Sequence, residues 1–334
     1  MKVVQVSNGG GLENLHVVER EEPTPEAGEV LVRWHATSLN FHDYLVAIGA
    51  IPVPEGRIPM SDGAGEVVAL GEGVIDWKVG DKVMSLFFPN WIDGHPSIQK
   101  IAGVSGETID GYIAEYTLIS AQSLTRIPAG YTYAEAATLP CAGVTAWNGL
   151  THTGGLVAGQ KVLIEGTGGM SLLGLRLAKA AGAKIYATTS SPEKAERLKS
   201  MGVEAIVNYK EDERWGKSIY KQSGGGVDIV LDVGGGSTMN QSIEASKMGG
   251  TVISIGILGD GRKGSITFPK LFFKFINLKG IAVGSRLMQE SLINAIESTN
   301  VKPDIYKSFA FDQLKDAFEY QASGKQFGKI VLEY

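Results

Sequence analysis

Apolar positions along the 334-residue chain fall into two textures. As far as Pro128 they come in short runs punctuated by glycine and proline: Val3-Val4-Gln5-Val6, Glu29 to Trp34, Gly65 to Leu70, Asp81 to Leu86 and Gly111 to Leu118. Such runs predict strands, and together they predict a small β-barrel domain. Beyond Pro128, strand-like runs alternate with helical periodicity, which predicts a doubly wound α/β region. Its expected elements begin with Ala134 to Leu150, a strand at Lys161 to Glu165, a helix at Met170 to Ala181 closed by Gly182, and a strand at Lys184 to Thr188. A helix at Pro192 to Met201, a strand at Ala205 to Val207 and a helix around Asp212 to Gln222 follow. Val227 to Val233 and Gly250 to Gly256 read as buried strands that stop at glycines, then come a strand at Leu278 to Val283, a helix at Ser291 to Ser298 and a last strand at Lys329 to Leu332. No internal repeat or low-complexity tract interrupts the series.

The first strand of the second region runs directly into Gly166, Thr167, Gly168, Gly169, Met170 and Ser171. Glycines at the start of a helix let a pyrophosphate approach exposed N–H groups, where the aligned peptide dipoles favour negative charge. An ordinary tight turn would use the same residues, and Ser171 stands where the usual pattern has its last glycine. The second strand and the length of the βαβ unit favour dinucleotide binding. An NAD enzyme places an acid after that second strand to hold the ribose hydroxyls. Here the residues are Thr188, Thr189, Ser190 and Ser191, followed by Lys194. Hydroxyls and an ammonium suit a 2′-phosphate, so the expected cofactor is NADP. Ser190 and Ser191 also suit capping of a helix opened by Pro192. Gly234 and Gly256, at strand ends, would let a nicotinamide and its ribose come close.

Composition narrows the class. Hydrophobic residues make up 43% of the chain, enough for sizeable cores, and a net charge of −5 argues against a nucleic-acid partner. One cysteine excludes an internal disulfide and any cluster of thiolates, which fits a cytoplasmic protein. Met1 to Asn8 lacks the pattern of a signal peptide, and no apolar run approaches bilayer length, so no membrane partner is expected.

The segments SLNFHDYLVAIG, PMSDGAGEVVALGEGV, VGDKV, DGYIAEY, EAATLPCAGVTAW, GTGGMS and FGKIVL give the chain a resemblance, over nearly its whole length, to the medium-chain dehydrogenase/reductase superfamily. Within it the chain most resembles the zinc-free quinone oxidoreductase and alcohol-dehydrogenase-like branches. The resemblance implies a GroES-like catalytic domain at residues 1–122, a Rossmann NADP-binding domain at 123–262, and a segment, 263–334, that ends the Rossmann sheet and returns to the catalytic domain. It places the active site in the cleft between the domains. It also implies a homodimer in which edge strands at Leu278 to Val283 pair across a two-fold axis.

Matched to the ligand motifs of zinc-dependent relatives, this chain offers Asn40, Ser61 and Cys141, with Asp62 where the family has glutamate. Neutral amide and hydroxyl oxygens are poor zinc ligands. Phe88 to Asp110, which replaces the four-cysteine structural lobe, contains no cysteine. No metal is expected. Asn40 is then a candidate hydrogen-bond donor to a developing oxyanion. His42 takes the position of the hydroxyl residue that handles the alcohol proton in zinc relatives, and is the candidate acid. A solvent-facing loop histidine or a contact to the cofactor are its other readings. Asp43 is expected to orient its neighbours, and Tyr44 to reach substrate. Cys141 reads as a small packing residue. By resemblance, Thr145 contacts the nicotinamide and Lys329 the pyrophosphate, while Tyr209 stacks near the 2′-phosphate or packs at a strand edge. The expected activity is zinc-independent, NADPH-dependent reduction of a small carbonyl or conjugated carbonyl. Metal-free alcohol/aldehyde interconversion and a catalytically silent NADPH-binding protein are the alternatives.

Overall fold

The computed structural model describes residues 1–259 and 263–334. In chain order, the first seven strands are β1 (Lys2–Val6), β2 (Leu15–Glu19), β3 (Glu29–Ser38), β4 (Ala64–Leu70), β5 (Lys82–Ser85), β6 (Tyr116–Ser120) and β7 (Leu124–Arg126). One short helix, α1 (Phe41–Ala47), interrupts them. A helical run then opens at α2 (Tyr133–Ala137) on a capping box made by Thr132 and Glu135, and continues through α3 (Val144–Trp147). π-Type turns at Leu139–Gly143 and Asn148–Thr153 flank α3.

The alternating region follows as β8 (Lys161–Glu165), α4 (Gly169–Ala180), β9 (Lys184–Thr189), α5 (Pro192–Ser200), β10 (Ala205–Asn208), α6 (Trp215–Gln222), β11 (Val227–Asp232), α7 (Met239–Ala245), β12 (Ser246–Ser254), α8 (Phe268–Phe273) and β13 (Asn277–Gly280). These strands form one parallel sheet of order β10-β9-β8-β11-β12-β13. That is the order of a doubly wound dinucleotide-binding sheet, whose topological switch point lies between β8 and β11. Leu163, Val230 and Val252 from its central strands bury against Trp215 and Ile219 of α6 and Met239 and Ile243 of α7. The spacing of four within each helix puts both side chains on the face toward the sheet.

The chain then forms α9 (Arg286–Thr299), β14 (Ile305–Ala310), α10 (Leu314–Ala322) and β15 (Lys329–Glu333). β15 pairs antiparallel with β3, and β14 parallel with β15, so the last strands complete the first sheet. Alternate residues Val30, Val32 and Trp34 of β3 share a core with Val67 and Val83. The chain therefore divides into two compact units, Met1–Val144 with Val283–Tyr334, and Thr145–Ala282. The expected boundary at 122/123 lies within the first unit, and that at 262/263 falls on a residue outside the described ones. This is the GroES-like plus Rossmann α/β architecture.

Some expected boundaries move. The run Gly111 to Leu118 becomes a strand only from Tyr116, because Gly111 and Tyr112 donate instead to the carbonyls of Ile58 and Met60. The run Leu278 to Val283 stops pairing at Gly280, and Val283 turns into the left-handed region at φ 49°. Ala282 thus lies beyond the last rung. The strand expected from Gly250 already begins at Ser246. Among the described residues no helix is long and apolar enough to cross a membrane.

Candidate active site

The glycine-rich turn of the second unit has the form that a phosphate site requires. Gly166 sits at φ 73°, which an L side chain rarely adopts, and its N–H donates to Thr188 O at 3.0 Å. A Cβ at Gly166 or Gly168 would meet nothing within 4 Å, so these positions face open space. Gly168 begins α4 without any side-chain cap. The Ser171 hydroxyl, the natural competitor for those N–H groups, donates back to Glu165 O at 2.8 Å. The first turn of a twelve-residue helix is left to accept an anion. Thr167 and Ser171 are buried and Met170 half-buried. These residues fit a dinucleotide pyrophosphate.

At the end of β9 the structure gathers the expected 2′-phosphate residues, with one adjustment. Thr188 and Thr189 are buried, whereas Ser190 and Ser191 are half-buried. Ser191 Oγ caps α5 by accepting from Lys194 N at 3.3 Å. Tyr209 N donates to Thr189 O at 3.0 Å, which brings that tyrosine, 43% exposed, beside the same loop. Burial, with Arg197 adding to it against the pull of Glu193, lowers the Lys194 pKa from its ordinary value. Gly234 and Gly256 have packing reasons of their own: a Cβ would lie 2.3 Å from the Thr238 side chain and 2.8 Å from Val233 O, respectively. Thr145 is buried at the start of this unit.

In the first unit, the motif-matched polar residues converge on a buried network. Asn40 Nδ2 donates to Asp62 Oδ2 at 2.9 Å and to Ser61 Oγ at 3.2 Å, while its Oδ1 accepts from Lys329 Nζ at 2.7 Å. An amide NH₂ has two hydrogens, and both are engaged. Asn40 therefore holds Asp62 and Lys329 in place, which replaces the expected role of oxyanion donor. Lys329, 4% exposed, also donates to Leu39 O at 2.7 Å and lies 3.8 Å from Asp62 Oδ2. Its ammonium is part of this network. Ser38 Oγ donates to Asp62 Oδ2 at 2.8 Å, whereas Asp62 Oδ1 is buried without a hydrogen-bond partner. Burial outweighs the nearby ammonium and pushes Asp62 up to about 6. Burial and the charge of Asp62 push the Cys141 thiol well above its ordinary value, so it is a neutral packing group, not a nucleophile.

The set does not fit zinc. It holds one carboxylate, a neutral thiol, an amide and a hydroxyl, and an ammonium already bears on the amide and carboxylate oxygens. Among the described residues no group of three or more His, Cys, Asp or Glu side chains is arranged to hold a metal ion.

Beside this network, Asp43 accepts from Asn40 N at 2.9 Å through Oδ2 and from Ser61 N at 2.9 Å through Oδ1. These bonds tie the start of α1 to the backbone at Ser61. His42 Nδ1 lies 3.4 Å from Asp43 Oδ1, and His42 Nε2 lies 2.8 Å from Glu107 Oε2. Burial alone would lower the imidazole, but the hydrogen bonds and charges of Asp43 and Glu107 outweigh it and push its pKa up to about 9. His42 is thus an imidazolium at neutral pH. Its side chain is 19% exposed and meets Phe87 edge to face, with ring centroids 5.4 Å apart. Glu107 belongs to a segment with no motif, and no sequence signal singles it out. Tyr44 is not brought to this group: its ring packs near Phe41 and Phe318 on the core cluster that includes Leu314.

A doubly wound sheet with an open phosphate turn after its first strand is the form of a dinucleotide-binding domain. Residues 26–129 match the family described as alcohol dehydrogenase GroES-like domain, and residues 169–298 match zinc-binding dehydrogenase. A zinc-type alcohol dehydrogenase-like protein of Schizosaccharomyces pombe is 38% identical, over 97% of this chain and 96% of its own. An acryloyl-coenzyme A reductase of Sulfurisphaera tokodaii is 27% identical, over 100% of both. The quinone oxidoreductase structure from Coxiella burnetii superposes with a TM-score of 0.81 at 26% identity, covering 100% of this chain and 99% of that one. The chain belongs to the medium-chain dehydrogenase/reductase superfamily and is an oxidoreductase of that family, whose members bind a nicotinamide cofactor.

Proposed function

We propose that the protein is a zinc-independent, NADPH-dependent reductase of small carbonyl or conjugated carbonyl compounds such as enones and quinones. The observation that carries this reading is the Asn40–Asp62–Lys329 network, in which an ammonium supplies the positive charge that zinc supplies in metal-dependent relatives. The names of the acryloyl-coenzyme A reductase and the quinone oxidoreductase both describe conjugated carbonyl substrates, which supports that substrate class. Ser190, Ser191, Lys194 and Tyr209, with no acid among Thr188 to Ser191, support NADPH over NADH.

Bound NADPH would supply the hydride. The residues of the chain do the rest. The turn from Gly166 to Ser171 and the first turn of α4 hold the pyrophosphate, and Ser190, Ser191 and Lys194 the 2′-phosphate. His42, charged below about pH 9, is the acid of this reading: its Nε2–H, held by Glu107 in the free protein, passes to the substrate oxygen once the substrate takes the place of that carboxylate, and the imidazolium charge stabilises the developing anion. Asp43 and Glu107 fix its ring. The test is oxidation of NADPH and NADH against a panel of quinones, enones and aldehydes, with elemental analysis of the same sample. Turnover of enones or quinones with NADPH, without stoichiometric zinc, is the expected result. Activity that follows zinc content overturns the metal-free reading.

The same reading includes a cytoplasmic homodimer. β13 is exposed along its length, and Phe268, Phe272, Phe273 and Phe275 expose large apolar surface beside it. A sheet edge of this kind suits a second copy of the chain.

A further inference from the structure

Glu165 and Asp232 close the carboxyl ends of β8 and β11, the strands that flank the switch point, and both are buried. Ser242 Oγ, from α7, lies 2.6 Å from Glu165 Oε1 and 2.6 Å from Asp232 Oδ2. A hydroxyl has one hydrogen, so it donates across one of these short contacts and not both. The other requires a hydrogen from a carboxyl. Two ionised carboxylates would leave it as oxygen facing oxygen, with like charges side by side.

The groups around the pair offer no alternative neutralisation. From β11 Asp232 faces Glu165; from α7 and the turn before it come the hydroxyls of Ser242 and Thr238; from the loop after β11 come the N–H groups of Val233, Gly234 and Gly235. On β9, Thr188 pairs with Glu165 in register. Among the described residues no basic side chain makes a hydrogen bond or ion pair with either carboxyl. Asp232 also collects donors from Gly235 N at 2.9 Å and from Thr238 Oγ1 at 2.9 Å to each of its oxygens, whereas Glu165 has Val233 N, at 3.3 Å, and the Gly234 backbone, which Asp232 shares, besides the serine. The better-solvated carboxyl is the anion, which leaves Glu165 as the acid. Burial and the charge of Asp232 push Glu165 in the same direction, well above the ordinary range.

We propose that Glu165 carries a proton at neutral pH, donates it in a hydrogen bond to Ser242, and so acts as a positioning residue that ties the start of the phosphate turn to α7. The consequence for binding rests on the cofactor reading given above. When the proton leaves to solvent, a second negative charge appears beneath the turn that receives the pyrophosphate, and the Ser242 bridge breaks. Affinity for dinucleotide should fall with rising pH, alike for NADPH and NADH, because the pyrophosphate is common to both.

The experiment titrates NADPH and NADH into the native protein and Glu165→Gln between about pH 7 and about pH 9.5. Glutamine keeps the shape, can donate N–H to Ser242 and cannot ionise. The native protein should lose about tenfold more affinity across the range than the variant. Equal pH dependence in both overturns the proposal. An infrared spectrum of the native protein at about pH 8, where Asp62 is ionised, should show a protonated carboxylic acid that disappears at higher pH and in Glu165→Gln. Its absence overturns the proposal even if cofactor binds. Should neither dinucleotide bind any form of the protein, the cofactor reading fails while the infrared band still decides the fate of the proton.

Discussion

Each unit buries an acid, and each neutralises it differently. In the first, Asp62 faces the ammonium of Lys329. In the second, Asp232 faces Glu165 across a serine hydroxyl, and on the proposal above the neutralising charge is a proton. A lysine ammonium suits a scaffold that must not change, because removing it leaves an uncompensated buried carboxylate. A proton makes the local charge adjustable beneath a turn that binds an anion. Burial alone therefore says little about a carboxylate; its partner decides whether it is fixed or responsive.

The comparison breaks most visibly at Lys329. Lys329→Met should destabilise the first unit by about 3–5 kcal/mol, read from denaturant unfolding, because Asp62 is left buried without its countercharge. The pair of changes Lys329→Met with Asp62→Asn should recover most of that loss. A single variant as stable as the native protein would show that the ammonium does not neutralise Asp62.

His42 gives the next largest effect. His42→Ala should lower turnover by roughly 10²-fold with little change in NADPH affinity. Weak binding with normal turnover would make it a cofactor ligand instead. Its pH signature has a definite sign. The folded pKa of about 9 lies above the ordinary 6.5, so its contribution to stability is complete below about pH 6.5 and is lost as pH rises through about 9. The stability gap between native protein and His42→Asn should close over that window.

At the second unit, Lys194→Ala should narrow the preference for NADPH over NADH by about 1–3 kcal/mol, measured by titration of both cofactors. Equal affinities in the native protein would dismiss the 2′-phosphate reading. The smallest energetic change concerns assembly. Ile281 N donates to Ser254 O, so the alternation along β13 turns the N–H of Leu278 outward. Leu278→Pro should spare the pairing with β12 yet yield monomers by light scattering. A native protein that is already monomeric at micromolar concentration would rule out the edge pairing.

Local chemistry made the second unit legible from sequence: the glycine-rich turn, its flanking strands and the residues after β9 lie close together along the chain, and periodicity is a short-range signal. The network of the first unit joins Asn40 to Lys329, 289 residues apart, and His42 to Glu107, 65 residues apart. Residue types at Asn40, Ser61 and Cys141 argued against zinc, yet nothing along the chain indicates where the Lys329 ammonium points or that both Asn40 hydrogens are engaged. Short apolar runs also hid their limits. The run to Val283 reads as one strand because hydropathy does not record the backbone turn that ends it.

The return of β15 to β3 has a consequence for the order in which the protein is made. Domains generally fold as they emerge from the ribosome, and Thr145–Ala282 is contiguous, so that unit has all its strands while the tail is still being synthesised. The first unit must wait with the edge of β3 unpaired and Asp62 without a cation, because both partners arrive on the last strand. A ribosome that stalls late on this message would therefore release a chain whose nucleotide-binding half is finished and whose other half offers an open sheet edge to the quality-control machinery.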